Sequence, residues 1–209
     1  MHWMRQAAAL CAAWVIACAA TAGALDPDFE RQRPSAEARS VAEWVLTSGD
    51  AGGRPFLVVD KKAARLFVFA SGGRMLAATP VLLGAALGDH SLPGVGARAQ
   101  TGELTPQDRT TPAGRFETEP GVNLDGERVI WLDYDAALAL HRLRPGRAQR
   151  VRAARLENSE PHERRVSLGC VVVPVAFYLD VIEPLLGSRS GVVYVLPETQ
   201  DARELFLQL

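Results

Sequence analysis

A glycine directly before a cysteine, inside an apolar run, carries the clearest chemical signal in the chain. In Arg164-Arg165-Val166-Ser167-Leu168-Gly169-Cys170-Val171-Val172-Val173-Pro174 the Ser-x-Gly-Cys step holds Cys170. Glycine there lets the backbone turn tightly and approach a bound molecule, and it leaves consecutive N–H groups free to face a developing oxyanion. Val171 to Val173 reads as a short buried strand, and Pro174 suits the first turn of a following helix. The thiol then sits at the mouth of a rigid element. A lone cysteine is equally at home in a core as a small hydrophobe, so its surroundings decide.

A thiol becomes a useful nucleophile when a base or a field favours its thiolate, which turns attention to the histidines. There are four: His2, His90, His141 and His162. His141 closes the strand-like run Leu138-Ala139-Leu140, where a scaffold can hold it, and it is the favoured base. His162, between Pro161 and Glu163, reads as exposed loop; His90 lies in a long loop; His2 belongs to the leader. The bland alternative for His141 is a satisfied histidine at the end of a core strand. A zinc site from His141, His162 and Cys170 lacks any supporting Cys-x-x-Cys or His-x-x-x-His spacing.

The elements that position these groups come from a chain of 209 residues, 48% hydrophobic, which suffices for one good core. Its net charge of −1 gives no reason to expect nucleic acid. Lysine is confined to Lys61-Lys62, and every other basic residue is arginine. Arg5, the apolar Ala7 to Ala20 and the small-x-small step Ala22-Gly23-Ala24 read as a secretory leader over residues 1–24. Val15-Ile16-Ala17-Cys18 also resembles a lipoprotein box, so export to the periplasm has a membrane-anchored alternative through Cys18. Cleavage after Ala24 removes Cys11 and Cys18, and an unpaired Cys170 in an oxidising compartment favours a catalytic purpose.

Residues 25–54 read as a tether followed by a short helix, in which Ala38, Val41, Ala42 and Val45 recur at helical spacing before Gly49. Pro55 to Asp60, Arg65 to Ala70 and Met75 to Leu83 predict an antiparallel meander. Gly84 to Pro112 reads as a long functional loop, followed by strands at Arg115 to Thr118, Arg128 to Asp133 and Ala137 to His141. Gly146 to Glu157 predicts a helix with Val151, Ala154 and Leu156 on its apolar face. Val175 to Leu186 predicts a helix bent or ended near Pro184, Val192 to Leu196 a closing strand, and residues 199–209 a tail.

The order His141, then Ser167-x-Gly169-Cys170 followed by valines, resembles the YkuD-type L,D-transpeptidase catalytic domain. Phe56-Leu57-Val58-Val59-Asp60 through Leu66-Phe67-Val68-Phe69 resembles that family's opening hairpin, and Thr111-Pro112-Ala113-Gly114-Arg115-Phe116 its threonine-proline-x-glycine-x-phenylalanine step. The likeness spans about residues 55–198. It implies a mainly β domain with a few helices, of sandwich or barrel type, acting on peptidoglycan stem peptides with no cofactor and no metal. By the resemblance Cys170 attacks the stem carbonyl and releases D-alanine from a thioester, which an amine or water resolves. His141 accepts the thiol proton and passes it to the leaving amine, a double duty that its ordinary pKa near neutrality suits. The Arg142 backbone carbonyl orients His141, Gly169 contributes backbone to the oxyanion hole, and Ser167 supports the loop. An L,D-carboxypeptidase uses the same residues, and a catalytically silent wall-binding protein shares the fold.

Three departures stand out. Arg142 replaces the family's usual glycine, Val172 stands where a polar arginine or asparagine is usual, and His141 and Cys170 are 29 positions apart, which implies an insertion. That segment carries Arg142, Arg144, Arg147, Arg150, Arg152, Arg155, Arg164 and Arg165. These either attract carboxylates of stem peptides or pair with Glu157, Glu160 and Glu163 on a solvated face.

Overall fold

Strands β1 (Phe56–Asp60), β2 (Arg65–Phe69) and β3 (Met75–Pro80) form the expected antiparallel meander. The computed structural model describes Phe29 and residues 32–206, so the leader and the Cys18 box lie outside the described residues. Two further short strands follow the chain into the functional region: β4 (Leu83–Gly84) and β5 (Gly114–Glu117). Then come β6 (Glu119–Val122), β7 (Arg128–Asp133), β8 (Leu138–Arg142), β9 (Arg165–Ser167), β10 (Val171–Val173) and β11 (Val192–Val195).

The strands assemble into a five-stranded sheet, β3-β2-β1-β11-β5, a four-stranded sheet, β10-β8-β7-β6, and the small pair β4-β9. The closing strand β11 inserts in the middle, parallel to β1 and antiparallel to β5. Every residue of β1 and β11 is buried, because both faces of the five-stranded sheet are covered. On one face Leu57, Val59, Leu66 and Val68 meet Ile130, Leu140, Val171 and Val173 of the four-stranded sheet. The architecture is thus mainly β, a two-sheet sandwich with helices added.

On the other face Phe56, Val58, Phe67 and Tyr194 are roofed by helix α1 (Ala36–Ser48) and by Phe29, whose ring sits edge-on to Phe67 and Phe69 at 5.3 and 5.2 Å. The start of α1 is fixed by Ser35, whose hydroxyl accepts the Ala38 N–H at 3.1 Å, and its end by Gly49 in the left-handed region. Ala38, Val41, Ala42 and Val45 are the buried stripe that their spacing predicts. Removing such a fully buried side chain from water contributes about 1.5–3 kcal/mol for a valine-sized group, so this helix belongs to the core.

Elsewhere the structure departs from the sequence reading. The long loop contains a helix, α2 (Val95–Thr101). The inserted segment folds as helix α3 (Gln149–Glu157) and a 3₁₀ turn at Pro161–Arg164. Only Leu156 of α3 is buried, whereas Val151 is exposed, because the helix docks through one residue and one turn rather than a full stripe. The helix before Pro184 divides into α4 (Val175–Phe177), a π-helical stretch Tyr178–Ile182 and α5 (Glu183–Leu186). Proline lacks the N–H that an α-helical ladder would require there, and the wider turn precedes it. The tail is partly helical, α6 (Ala202–Phe206), with Ala202 and Phe206 in the second core. Among the described residues no helix is long and apolar enough to cross a membrane.

Candidate active site

Strand periodicity places the two chemical groups together. Leu138 and Leu140 of β8, and Val171 and Val173 of β10, face the sandwich core. Side chains alternate across a strand, so Ala139 and His141, and likewise Cys170 and Val172, turn to the opposite face. The strands are parallel neighbours with Val172 opposite His141, which sets Cys170 beside Ala139 and one alternation short of the imidazole. His141 and Cys170 both line a cavity of about 420 Å³, walled by β7, β8, the long loop and α3. That is a volume fit for a small ligand or a peptide segment.

His141 is buried, and its Nδ1 lies 2.7 Å from the Arg142 carbonyl. A carbonyl only accepts, so Nδ1 carries the proton and Nε2 is left with its lone pair, the tautomer of a base. Burial and then the nearby Arg144 guanidinium lower its pKa to about 4, against the Arg142 carbonyl and with Arg152 adding to the same direction. The Arg142 side chain points elsewhere, to Glu127 at 3.0 Å. The arginine at the position where the resemblance leads one to expect glycine therefore leaves its own carbonyl free to face Nδ1.

This burial has a stability consequence. Below pH 6.5 the unfolded chain takes up a proton that the folded site refuses until about pH 4, so stability present above pH 6.5 is lost as pH falls toward 4. Between pH 7 and 4.5 the contribution amounts to about 2–3 kcal/mol. Urea midpoints of the protein and of His141→Asn at the two pH values would measure it, and the variant should show the smaller acid loss.

Cys170 is partly exposed, and its thiol donates to the Ala137 carbonyl at 3.5 Å rather than to the imidazole. Ala137 takes φ 52°, unusual for a residue with a side chain, at the β7–β8 turn. Burial raises the thiol's pKa, so the resting site pairs a thiol with a neutral imidazole rather than a thiolate with an imidazolium. The base and nucleophile lie in one cavity without a direct bond between them.

The turn carrying Cys170 is tied down from both sides. Ser167 Oγ donates to the Cys170 carbonyl at 2.7 Å and accepts from the Gly169 N–H at 3.2 Å. Gly169 sits at φ 132°, and a side chain there would meet the Thr110 carbonyl at 3.1 Å, so the position requires glycine. Because the Gly169 N–H is already engaged by Ser167, it is not the free donor that the sequence suggested.

Thr111 completes the clamp, and sequence reasoning gave it no role at the turn. Its hydroxyl donates to the Gly169 carbonyl at 2.7 Å and accepts from the Gly84 N–H at 2.8 Å. Its own carbonyl accepts from Lys61 Nζ at 2.8 Å. Lys61 is buried in an ion pair with Asp89 at 2.7 Å and donates to Gly88 O at 2.7 Å, with Glu198 at 3.6 Å. Burial pulls Lys61 down to about 8, still above neutrality, and the Lys61 and Thr199 donors outweigh the effect of burial to hold Asp89 below the usual carboxylate range. The pair is charged at pH 7. The one available signal was that lysine occurs nowhere but at 61 and 62, in a chain otherwise using arginine. A compact ammonium fits three converging acceptors where a planar guanidinium does not.

Val172 and the insertion prove to be one feature. Val172 packs with Leu82, Leu143 and Leu156, the last from α3, so the inserted helix supplies an apolar lid for a position where the resemblance leads one to expect a polar side chain. The arginines pair only in part with the glutamates of their own segment. Arg155 reaches Glu163, but Arg144 meets Asp125 and Glu127, Arg165 meets Glu198, and Arg164 approaches the carbonyls of Ala63 and Ala64. Leu168 stands exposed on the cavity rim. His162 is exposed on the 3₁₀ turn and His90 on the loop, neither lining the cavity.

No family model matches the chain, and no curated protein does. Among solved structures the chain is similar to the catalytic domain of an L,D-transpeptidase from E. faecium, at 16% identity and a TM-score of 0.36, over 69% of this chain and 98% of that one.

Proposed function

We propose that the protein is an exported acyltransferase of the L,D-transpeptidase type, acting on peptidoglycan stem peptides through Cys170. The observation that carries this reading is the single cavity shared by Cys170 and by His141, whose Nδ1 is bonded to the Arg142 carbonyl. The motifs around Phe56, Thr111 and Cys170, in that order along the chain, support the substrate class.

In the proposed reaction the thiol leaves the Ala137 carbonyl, His141 Nε2 takes its proton, and Sγ bonds to the stem carbonyl carbon. The carbonyl π electrons move to oxygen as the tetrahedral intermediate forms. Collapse breaks the C–N bond to D-alanine, whose amine receives the proton from His141, and a thioester remains on Cys170. An amine from a second stem, or water, repeats the sequence with His141 as base and regenerates the thiol. Catalytic hydrogen bonds are often absent or long in a substrate-free site and form with the substrate, in keeping with a resting thiol that bonds elsewhere.

With the Gly169 N–H engaged by Ser167, the Cys170 N–H is the oxyanion donor in this proposal, and each such donor contributes about 3–4 kcal/mol to the transition state. A leader ending at Ala24 would deliver the enzyme to the periplasm, and lipidation at Cys18 would anchor it there.

Incubation with a disaccharide-tetrapeptide tests the reading. Free D-alanine should appear with the wild type and not with Cys170→Ala. A cross-linked dimer marks transfer, a tripeptide marks hydrolysis, and no D-alanine release would sink both.

A further inference from the structure

The cavity holds one cation, Arg152, for which the described residues supply no ion-pair partner. Two guanidiniums line it, Arg144 and Arg152. Arg144 lies 3.4 Å from Asp125 and 3.2 Å from Glu127, and the cavity's Asp108 is held by Arg98. Among the described residues no acidic side chain lies within ion-pairing distance of Arg152, which is half-buried on the first turn of α3. The neighbouring arginines Arg147 and Arg150 are exposed, so water solvates their charge. A partly desolvated guanidinium without a counter-charge is costly, and a ligand anion removes that cost. Leu168, Tyr134, Val122 and Leu124 stand exposed along the cavity rim, and the cavity's carboxylates, Asp108 and Asp125, are engaged by Arg98 and Arg144. A carboxylate entering the cavity has Arg152 as its unoccupied partner.

We propose that Arg152 is the anion-recognition residue of this cavity, receiving a carboxylate that the acyl donor carries within a few bonds of the carbonyl attacked by Cys170. Arg152, His141 and Cys170 line the same cavity, which supports the placement, and the Arg152 charge adds to the effects that lower the His141 pKa. Binding has a second effect. A carboxylate on Arg152 offsets the positive field that disfavours the imidazolium, so the base strengthens when a correctly charged donor is in place. The inserted helix, which carries Arg152 and closes over Val172 through Leu156, thereby couples substrate charge to proton transfer. The role in acyl transfer rests on the function proposed above, whereas the anion site itself does not.

Alkylation of Cys170 by iodoacetate and by iodoacetamide, two reagents of similar size that differ by one negative charge, separates these points. Rates are followed by mass spectrometry on the Cys170 peptide of the full chain, which also contains Cys11 and Cys18. Arg152→Gln should lower the iodoacetate-to-iodoacetamide rate ratio about tenfold, Arg152→Lys should restore part of it, and the solvent-facing Arg147→Gln should leave it unchanged. A comparable iodoacetamide rate in all four proteins would confirm that the fold is retained. An unchanged ratio in Arg152→Gln, or a Cys170 that reacts with neither reagent, overturns the proposal. A lowered ratio together with no release of D-alanine from stem peptide would keep the anion site and refute the transpeptidase reading. If both readings hold, Arg152→Gln should raise KM for a donor with free carboxylates and change little for its amidated counterpart.

Discussion

Lys61→Met is expected to destabilise the protein by about 3–5 kcal/mol, the cost of leaving a buried charge without its partner. Asp89 is wholly buried, and its carboxylate is arranged as an anion, accepting from Lys61 Nζ at 2.7 Å, Glu198 N at 2.8 Å and Thr199 N at 2.8 Å. Methionine fills much of the lysine volume but removes the ammonium and leaves the carbonyls of Gly88 and Thr111 without their donor. Guanidinium unfolding would read the loss. A combined Lys61→Met, Asp89→Asn protein should recover part of it by removing the stranded charge, and a loss under about 1 kcal/mol in the single variant would show that the pair is not what holds this region. The effect extends to the site, because Lys61 positions Thr111 and Thr111 positions the Gly169 carbonyl. Iodoacetamide should label Cys170 in Lys61→Met with a rate that differs from the wild type even at temperatures where both are folded.

His141→Ala is expected to slow acylation by about 10²–10⁴-fold, the usual share of a positioned general base. The resting thiol makes this dependence strong. Cys170 bonds to a carbonyl and burial raises its pKa, so little thiolate is present at neutral pH without a base to create it. Stopped-flow loss of carbapenem absorbance would measure the rate, with His162→Ala staying within about twofold of the wild type because its ring lies in solvent. The pH profile adds a second check. With His141 drawn down to about 4, kcat/KM should stay on its plateau through pH 5.5, where an ordinary histidine would already be protonated. Arg152→Gln should move that acid limb upward, since it removes one of the charges that lower the imidazole.

Much of the scaffold was legible because local pattern and tertiary role agree. The stripe of α1, its end at Gly49, the meander and the valine strand after Cys170 all follow from periodicity and turn residues. Strand β6 was missed because Glu119, Pro120 and Gly121 are an exposed edge with no apolar alternation, held by pairing to β7. Helix α2, Val-Gly-Ala-Arg-Ala-Gln-Thr, has no apolar stripe for a periodicity argument to find.

At the site, chemistry-bearing residue types pointed to Cys170 and His141, and His141 Nδ1 lies 2.7 Å from the Arg142 carbonyl. What stayed hidden is tertiary. Lys61 looked like a turn residue until Asp89 and Glu198, far along the chain, converged on it. The eight arginines of the insertion look alike in sequence, and only folding shows that Arg144 and Arg165 are paired while Arg152 faces a cavity. The acceptor of the resting thiol, Ala137, is an unremarkable residue whose role comes from its backbone conformation.

Intact-mass spectrometry after incubation with disaccharide-tetrapeptide or a carbapenem tests the central claim most directly. An adduct should form on the wild type, map to Cys170, accumulate slowly on His141→Ala and be absent from Cys170→Ala. If the wild-type thiol is alkylated readily by iodoacetamide yet gains no adduct from either acyl donor, the nucleophile is open but the acyl-transfer account is wrong.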